Sequence, residues 1–168
     1  MRKSRFPLAA LAGALTLGLS AQSSSAIVGA DAPACEAGKP ALLVRVIGLK
    51  QASGTLKLAL YGSDQSVYLK KQGRLRRIKV PVSSRAPVNV CIAVPKPGRY
   101  AVAIHHDLNA NGNKDISDGA GYSNNPKLSL TNLKPAFTRT SVEVGSTPRK
   151  VSVVMQYRRG LSVGPVNG

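Results

Sequence analysis

The residues of this chain that could do chemistry are concentrated in one polar segment, residues 107–118. Oxygen-bearing side chains fall at relative positions 1, 3, 5, 9 and 12 of this segment, with Gly112 at position 6. That is the spacing of a twelve-residue calcium loop, in which glycine allows the sharp turn and the carbonyl of position 7 supplies a further ligand. The spacing therefore predicts a Ca²⁺ site formed by Asp107, Asn109, Asn111, Asn113, Asp115 and Asp118.

A second interpretation of the same segment stays open. Asn, Asp and Gly are the residues that tight turns select, so the segment also fits an Asx-rich loop without a metal. Asp118 reaches a bidentate pose less easily than the usual Glu at position 12, and Lys114 offsets one carboxylate. Three of the seven acidic residues of the chain nevertheless lie in these twelve residues. If calcium binds, we expect weak affinity and a structural role.

A second candidate site is a cluster of basic residues upstream of this segment. Arg74, Arg76, Arg77 and Lys79 lie within six residues in a chain of net charge +17. Such a cluster favours anionic partners, here lipopolysaccharide, acidic polysaccharide or the lipid headgroups of an outer-membrane surface. The alternative is a solvated strand edge, because Lys and Arg also protect sheet edges from aggregation.

Two cysteines, Cys35 and Cys91, complete the reactive residues. In an oxidising compartment they predict a single disulfide, and the alternative is two unpaired thiols. The spacing differs from Cys-x-x-Cys, so a redox-active pair is not indicated. The adjacent His105 and His106 point to opposite faces of a strand, so we expect a surface histidine and a packed, hydrogen-bonded histidine, respectively, and no shared metal.

The elements that position these residues are short strands. Apolar residues alternate with polar or small ones around Leu58, Val80, Ile92, Val102 and Val153, and turn signals such as Pro95–Gly98 separate the runs. We find no convincing helical stripe beyond a weak turn near residues 66–72. The pattern predicts an all-β fold, a single seven- to eight-stranded β-sandwich.

The first 26 residues have the order of a cleaved signal peptide: a basic start, a short apolar run and small residues. Cleavage after Ala26, or alternatively after Ala30, would leave an exported, soluble domain, and the alternative is an amphipathic helix of the fold. Residues 1–26 carry three basic and no acidic residues, so their removal lowers the net charge from +17 to +14. We divide the remainder into an N-terminal arm (27–40), the β domain (41–158) and a flexible C-terminal tail (159–168).

Three sets of residues in this order resemble a known family. They are Pro97-Gly98-Arg99-Tyr100, His106-Asp107-x-Asn109-x-Asn111-Gly112 and Gly121-Tyr122-Ser123-Asn124-Asn125. Together they resemble the bacterial DUF2141 proteins, exported domains of unknown function, over about residues 40 to 158. The resemblance implies a prealbumin-like (transthyretin-like) Greek-key sandwich in the periplasm or outside the cell, and it brings no catalytic residues. Gly112-Asn113-Lys114-Asp115 departs from the Gly-Lys-Leu-Asp of many members.

The function that these observations favour is a non-catalytic exported binding or structural module of the envelope, stabilised by Ca²⁺ if the loop binds it. Nucleic-acid binding is an alternative suggested by the charge alone, because no aromatic residues are interleaved with the basic cluster for base stacking. A hydrolase is a further alternative, but the sequence lacks G-x-S-x-G and shows no placed pair of carboxylates. We therefore predict that the protein is not an enzyme.

Overall fold

A computed structural model of the protein describes residues 26–166, and the structural statements below refer to that range. The predicted signal peptide lies almost entirely outside the described residues. Eleven strands follow one another along the chain: β1 Ile27–Val28, β2 Ala41–Ile47, β3 Thr55–Tyr61, β4 Arg74–Pro81, β5 Val88–Ala93, β6 Gly98–Asp107, β7 Gly119–Tyr122, β8 Val142–Val144, β9 Arg149–Val154, β10 Gln156–Arg159 and β11 Ser162–Pro165. Two short helices, α1 Ala32–Glu36 and α2 Phe137–Thr140, and 3₁₀ turns at Gln65–Val67 and Lys71–Gly73 complete the elements.

The strands form two sheets. The smaller sheet has the order β1-β5-β2-β9, and the larger has the order β11-β10-β7-β6-β3-β4, with β8 paired to the first part of β6. Pairing is antiparallel except between β1 and β5 and between β2 and β9. The strands β3 and β6 lie in the interior of the larger sheet, where each is hydrogen-bonded on both sides.

The core follows from the alternation of side chains along these strands. Leu56, Leu58 and Leu60 on β3 have no exposed surface, and Val44 and Val46 on β2 in the other sheet have none either. Residues of both sheets belong to one hydrophobic cluster, so each sheet buries one face against the other. The all-β prediction is confirmed in this form, as two sheets. Within residues 26–166, no helix is long and apolar enough to cross a membrane.

The number of strands is larger than the seven or eight that the sequence predicts. The extra strands are short and lie at sheet edges or carry residues typical of turns, as β7 does with Gly119 and Gly121. A Cβ at Gly121 would lie 2.7 Å from a methyl of Val153, and one at Gly119 would lie 2.4 Å from the Tyr157 ring. Glycine is therefore needed on β7 because side chains of the neighbouring strands fill the space.

Part of the C-terminal segment, which the sequence predicts as a flexible tail, forms a strand. Ser162–Pro165 pair antiparallel with β10 through a two-residue turn, in which Gly160 has a φ of 61°. Two-residue hairpin turns favour residues with positive φ, so Gly160 allows the chain to reverse here.

The N-terminal arm is fixed to the domain in three ways. Strand β1 pairs with β5, and the disulfide between Cys35 and Cys91 links α1 to the same strand. The Asp31 carboxylate accepts hydrogen bonds from Arg76 on β4 and from the backbone N–H of Ala93 at 3.0 Å. The predicted disulfide is confirmed, with a Cα–Cα distance of 6.0 Å.

Candidate functional site

The outer face of the larger sheet carries small residues at its centre. Residues opposite one another in a sheet share a face, and the pairs Ala59–Ala103 and His105–Ala120 lie on the face away from the core. Ala59, Ala103 and Ala120 are half-buried, whereas the neighbouring positions carry long side chains. The three alanines therefore form the floor of a depression across β3, β6 and β7.

Long side chains and two loops surround this floor and produce a groove of about 660 Å³. That volume lies within the usual range for small-molecule sites. Six cationic side chains line the groove: Lys57, Arg74, Arg77, Lys114, Lys134 and Arg158. The acids that line it are Asp115 and Asp118. Its apolar lining includes Ile116, Leu130 and Leu133, which are 72%, 40% and 47% exposed.

The structure divides the predicted basic cluster between two faces. Arg77 opposes Ala59 on the outer face, and a bulge at Leu75 returns Arg74 to that face beside Tyr61. Lys79 opposes Lys57 on the outer face but does not line the groove. Arg76 opposes Leu60 on the other face and is bonded to Asp31. The four residues are therefore not one patch, and only Arg74 and Arg77 line the groove.

The polar loop, residues 107–118, forms one end of the groove. Its first residue, Asp107, is fully buried, and its Oδ2 lies 2.5 Å from Nζ of Lys57 on β3. The backbone N–H of Gly112 donates to the same oxygen at 3.0 Å. The hydrogen bond from Lys57 is the main cause that lowers the pKa of Asp107, against the opposing effect of burial.

Asp118, at the other end of the loop, closes it. Its Oδ1 accepts from the N–H of Leu108 at 3.1 Å, and its Oδ2 accepts from the N–H of Asp115 at 2.9 Å. Nε2 of His105 lies 2.7 Å from the same Oδ2. Burial raises the pKa of Asp118, but the hydrogen bonds from Asp115, His105 and Leu108 outweigh it, and the net shift is downward. Both oxygens of Asp118 are therefore occupied by protein donors.

The asparagines between them form consecutive Asx turns. Oδ1 of Asn109 accepts from the N–H of Asn111 at 3.1 Å, and Oδ1 of Asn111 accepts from the N–H of Asn113 at 2.8 Å. Nδ2 of Asn109 and Nδ2 of Asn111 both donate to Oδ2 of Asp115 at 2.9 Å. Across residues 26–166, no three His, Cys, Asp or Glu side chains are grouped so as to hold a metal ion. Calcium binding stays a prediction.

The two histidines have different environments, as their strand positions predict. His106 has no exposed surface, and its ring nitrogens lie 2.7 Å from the Tyr157 hydroxyl and 2.9 Å from the carbonyl of Ser53. Burial lowers the pKa of His106 and raises that of Tyr157 to about 12. His105 instead faces the groove, which the sequence did not predict.

Several residues of the groove were not predicted from the sequence. Lys57 sits between Leu56 and Leu58, and strict alternation assigns it to the outer face, so the pattern contained this signal. The connection between β7 and α2 contains three further groove residues, Leu130, Leu133 and Lys134. It forms no named strand, and its sequence has no alternating pattern that would place it near β6. Their position follows in part from the hydrogen bond that the Tyr122 hydroxyl donates to the Leu133 carbonyl at 2.8 Å.

The fold and the groove define the class of this protein as a two-sheet, all-β protein with a cationic groove on the outer face of its larger sheet. The chain belongs to the DUF2141 family, described as an uncharacterized protein conserved in bacteria, which matches residues 44–152. The matched range contains β3, β6, β7 and the polar loop. No curated protein and no solved structure matches the chain.

Proposed function

We propose that the protein is an exported, non-catalytic binding module that holds an anionic lipid in the groove on its larger sheet. The observation that carries this proposal is the combination of cationic and exposed apolar side chains around one concave surface. Of the five exposed large hydrophobic side chains among residues 26–166, three line the groove: Ile116, Leu130 and Leu133. Exposed apolar residues gathered in one place indicate a binding surface.

The charges of the groove favour an anionic ligand. Six cationic side chains and two acids line the groove; Lys57 is paired with the buried Asp107, which leaves five cations, and the protein donors around Asp118 further offset its negative charge. Arg77 on β4 and Arg158 on β10 are four strand spacings apart, which corresponds to about 19 Å. Guanidinium groups suit phosphate and carboxylate because they donate paired hydrogen bonds. A headgroup could thus contact cations while acyl chains cover Leu130 and Leu133.

An anionic polysaccharide is the other partner that the charge alone would suit. We favour a lipid because the exposed apolar side chains of the groove would remain in contact with water beside a fully polar polymer. Nucleic acid is less well suited for the same reason. No tryptophan is present in the chain to stack on bases.

One observation favours a second candidate function, a hydrolase. His105 lies in the groove with its Nε2 bonded to Asp118, and a histidine oriented by a carboxylate can act as a general base toward water. Against this, the described residues that line the groove include no Ser, Thr or Cys as a nucleophile. The contact between His105 and Asp118 is also explained by closure of the polar loop. We therefore keep the non-catalytic proposal.

Export and the finer description of the fold belong to the same proposal. The N-terminal basic and apolar residues support a signal peptide, and the disulfide is compatible with an oxidising compartment. The two sheets packed on one core are consistent with a prealbumin-like Greek-key sandwich. Periplasmic or extracellular location would bring the groove into contact with envelope lipids.

Vesicle sedimentation of residues 27–168 tests the proposal. At 0.15 M salt we expect binding to vesicles that contain phosphatidylglycerol and none to pure phosphatidylcholine. Arg74→Glu with Arg77→Glu should weaken binding at least tenfold. The control, Arg149→Glu with Lys150→Glu on exposed positions of β9, makes the same change in net charge outside the groove and should retain it. Equal losses in both variants would show nonspecific attraction and overturn the proposal.

Two further measurements separate the lipid from the other partners. Leu130→Ser with Leu133→Ser should reduce binding to the vesicles but leave any binding to dextran sulfate unchanged. Retention of full vesicle binding by this variant would favour a polymer instead. Release of fatty acid or headgroup from the vesicles, lost in His105→Gln, would replace the non-catalytic proposal with the hydrolase.

A further inference from the structure

Asp107 has one carboxylate oxygen without a partner. Its side chain is 1% exposed, and Oδ1 is buried with no hydrogen bond to any part of the chain that the structure describes. The other oxygen, Oδ2, receives both Lys57 Nζ and the N–H of Gly112. An ionised oxygen that is buried and unpaired is unfavourable, and such atoms in native proteins call for a specific explanation.

The carboxylate is directed toward the polar loop. Gly112, whose N–H bonds to Oδ2, lies five residues further along the chain, in the middle of that loop. Because Oδ1 and Oδ2 share one carboxylate carbon, Oδ1 lies close to the part of the loop that bonds to Oδ2. Because Lys57 and Gly112 fix Oδ2, Asp107 cannot turn to offer Oδ1 to another donor without breaking these bonds.

The loop contains further oxygens suited to a hard cation. The Oδ1 atoms of Asn109 and Asn111 each accept one backbone hydrogen bond, and an amide oxygen has a second lone pair. Nδ2 of both side chains donates to Oδ2 of Asp115, so the three side chains lie together and Oδ1 is the Asp115 oxygen left for a cation. Asp118, by contrast, uses both of its oxygens to close the loop.

We infer that the polar loop binds Ca²⁺, with Asp107 Oδ1 as the buried ligand and Asn109, Asn111 and Asp115 supplying outer oxygens. Asp118 is a positioning residue that holds the two ends of the loop and is not a ligand. Ca²⁺ accepts amide, carbonyl and carboxylate oxygens in flexible geometry, whereas Mg²⁺ requires a small, regular octahedron. This inference concerns the loop alone and does not depend on the proposed lipid ligand.

Lys57 sets the strength of this site. Its ammonium group already neutralises part of the Asp107 charge, so a divalent cation at Oδ1 is opposed by a positive charge on the same carboxylate. The site therefore belongs with the weak extracellular calcium modules, whose dissociation constants lie at roughly 10⁻⁴ to 10⁻³ M. Replacing Lys57 by an uncharged donor should strengthen Ca²⁺ binding, an outcome that a simple turn does not produce.

The test is calorimetry and thermal unfolding of residues 27–168 with CaCl₂ after removal of divalent ions. We expect a heat of binding and a higher Tm with Ca²⁺, and a response at least tenfold weaker with MgCl₂. Asp115→Asn, at a half-buried loop position that leaves the Lys57–Asp107 pair intact, should weaken Ca²⁺ binding at least tenfold. Ser117→Ala, exposed in the same loop, should leave it unchanged.

Lys57→Gln distinguishes a calcium site from a metal-free turn most directly. It should tighten Ca²⁺ binding about tenfold, whereas Lys79→Gln, the residue paired with Lys57 across the sheet, should not. If Lys57→Gln does not fold without metal, rescue of folding by CaCl₂ but not by MgCl₂ supports the inference equally. Absence of heat and of a Tm shift up to 20 mM CaCl₂ in the wild-type chain would overturn it. Unchanged affinity in Asp115→Asn would also overturn it.

Discussion

Two buried aspartates, each paired with a cation on the larger sheet, differ in how completely their oxygens are used. Asp31 in the N-terminal arm is 5% exposed, and both of its oxygens accept from Arg76, with a further bond from Ala93. Asp107 is 1% exposed, and one of its oxygens has no partner. A buried carboxylate whose two oxygens both accept hydrogen bonds stabilises the fold, whereas one with an unpaired oxygen can still bind a ligand. The first region is structural, and the second is our candidate for binding.

The largest effect should come from the covalent part of the first region. Replacing Cys35 and Cys91 by alanine removes a cross-link between residues 56 positions apart. We expect a loss of about 4 kcal/mol in the free energy of unfolding, because the unfolded chain regains the entropy of the open loop. Urea unfolding of the oxidised wild type and the double variant measures it. A loss below 1 kcal/mol would show that the arm is held mainly by Asp31 and β1.

The second-largest loss in the free energy of unfolding should come from Lys57→Met, which leaves Asp107 buried without a cation. We expect a loss of about 3 kcal/mol at pH 7, because removing one partner of a buried pair exposes the other to the full cost of burial. The difference should begin to shrink above the ordinary aspartate pKa, because the buried carboxyl of the variant takes up a proton there, and it should shrink further at lower pH as the wild type loses its ion pair. Urea unfolding at pH 7 and at pH 3 would show this difference between variant and wild type.

The direction of this pH dependence follows from the pKa of Asp107 in the wild type and in the variant. In the wild type its pKa is lowered, so its contribution to stability is present above the ordinary pKa and is lost as the pH falls through the folded-state value. In Lys57→Met, burial without a cation raises the pKa instead, and stability then falls as the pH rises. An equal loss at both pH values would contradict the assignment to this ion pair.

The smallest effect should come from Arg76→Met. Arg76 is 49% exposed, so most of its charge interaction is screened by water, and Asp31 keeps its bond to Ala93. We expect a loss of about 1 kcal/mol in the free energy of unfolding, typical of partly exposed pairs. If Arg76→Met costs as much as Lys57→Met, the proposed contrast between the two aspartates is wrong.

Much of the fold could be predicted from the sequence because strand alternation is a local signal. Leu56, Leu58 and Leu60 predict the core face of β3, and the same pattern assigns Lys57 to the outer face. The extra strand β7 could not be predicted, since Gly119 and Gly121 are explained only by the rings and methyl groups of strands distant in sequence. Tertiary packing overrides local propensity there.

The candidate site could be predicted only in part. The spacing from Asp107 to Asp118 identified the polar loop, but the pairing of Asp107 with Lys57 joins residues 50 positions apart. Alternation with Ile78 already assigns Arg76 to the face opposite Arg77, but sequence distance does not show the bulge at Leu75, which returns Arg74 to the groove face. The alanine floor has no sequence signal, since small residues become a depression only beside long neighbours.

The position of that floor has a consequence for dynamics. Ala59 and Ala103 lie on β3 and β6, whose backbone groups are hydrogen-bonded to strands on both sides. Such strands open only with large parts of a fold, so their amide hydrogens should be among the slowest in the protein to exchange with deuterated water. A ligand in the groove would therefore meet a rigid surface and lose little affinity to ordering of the backbone.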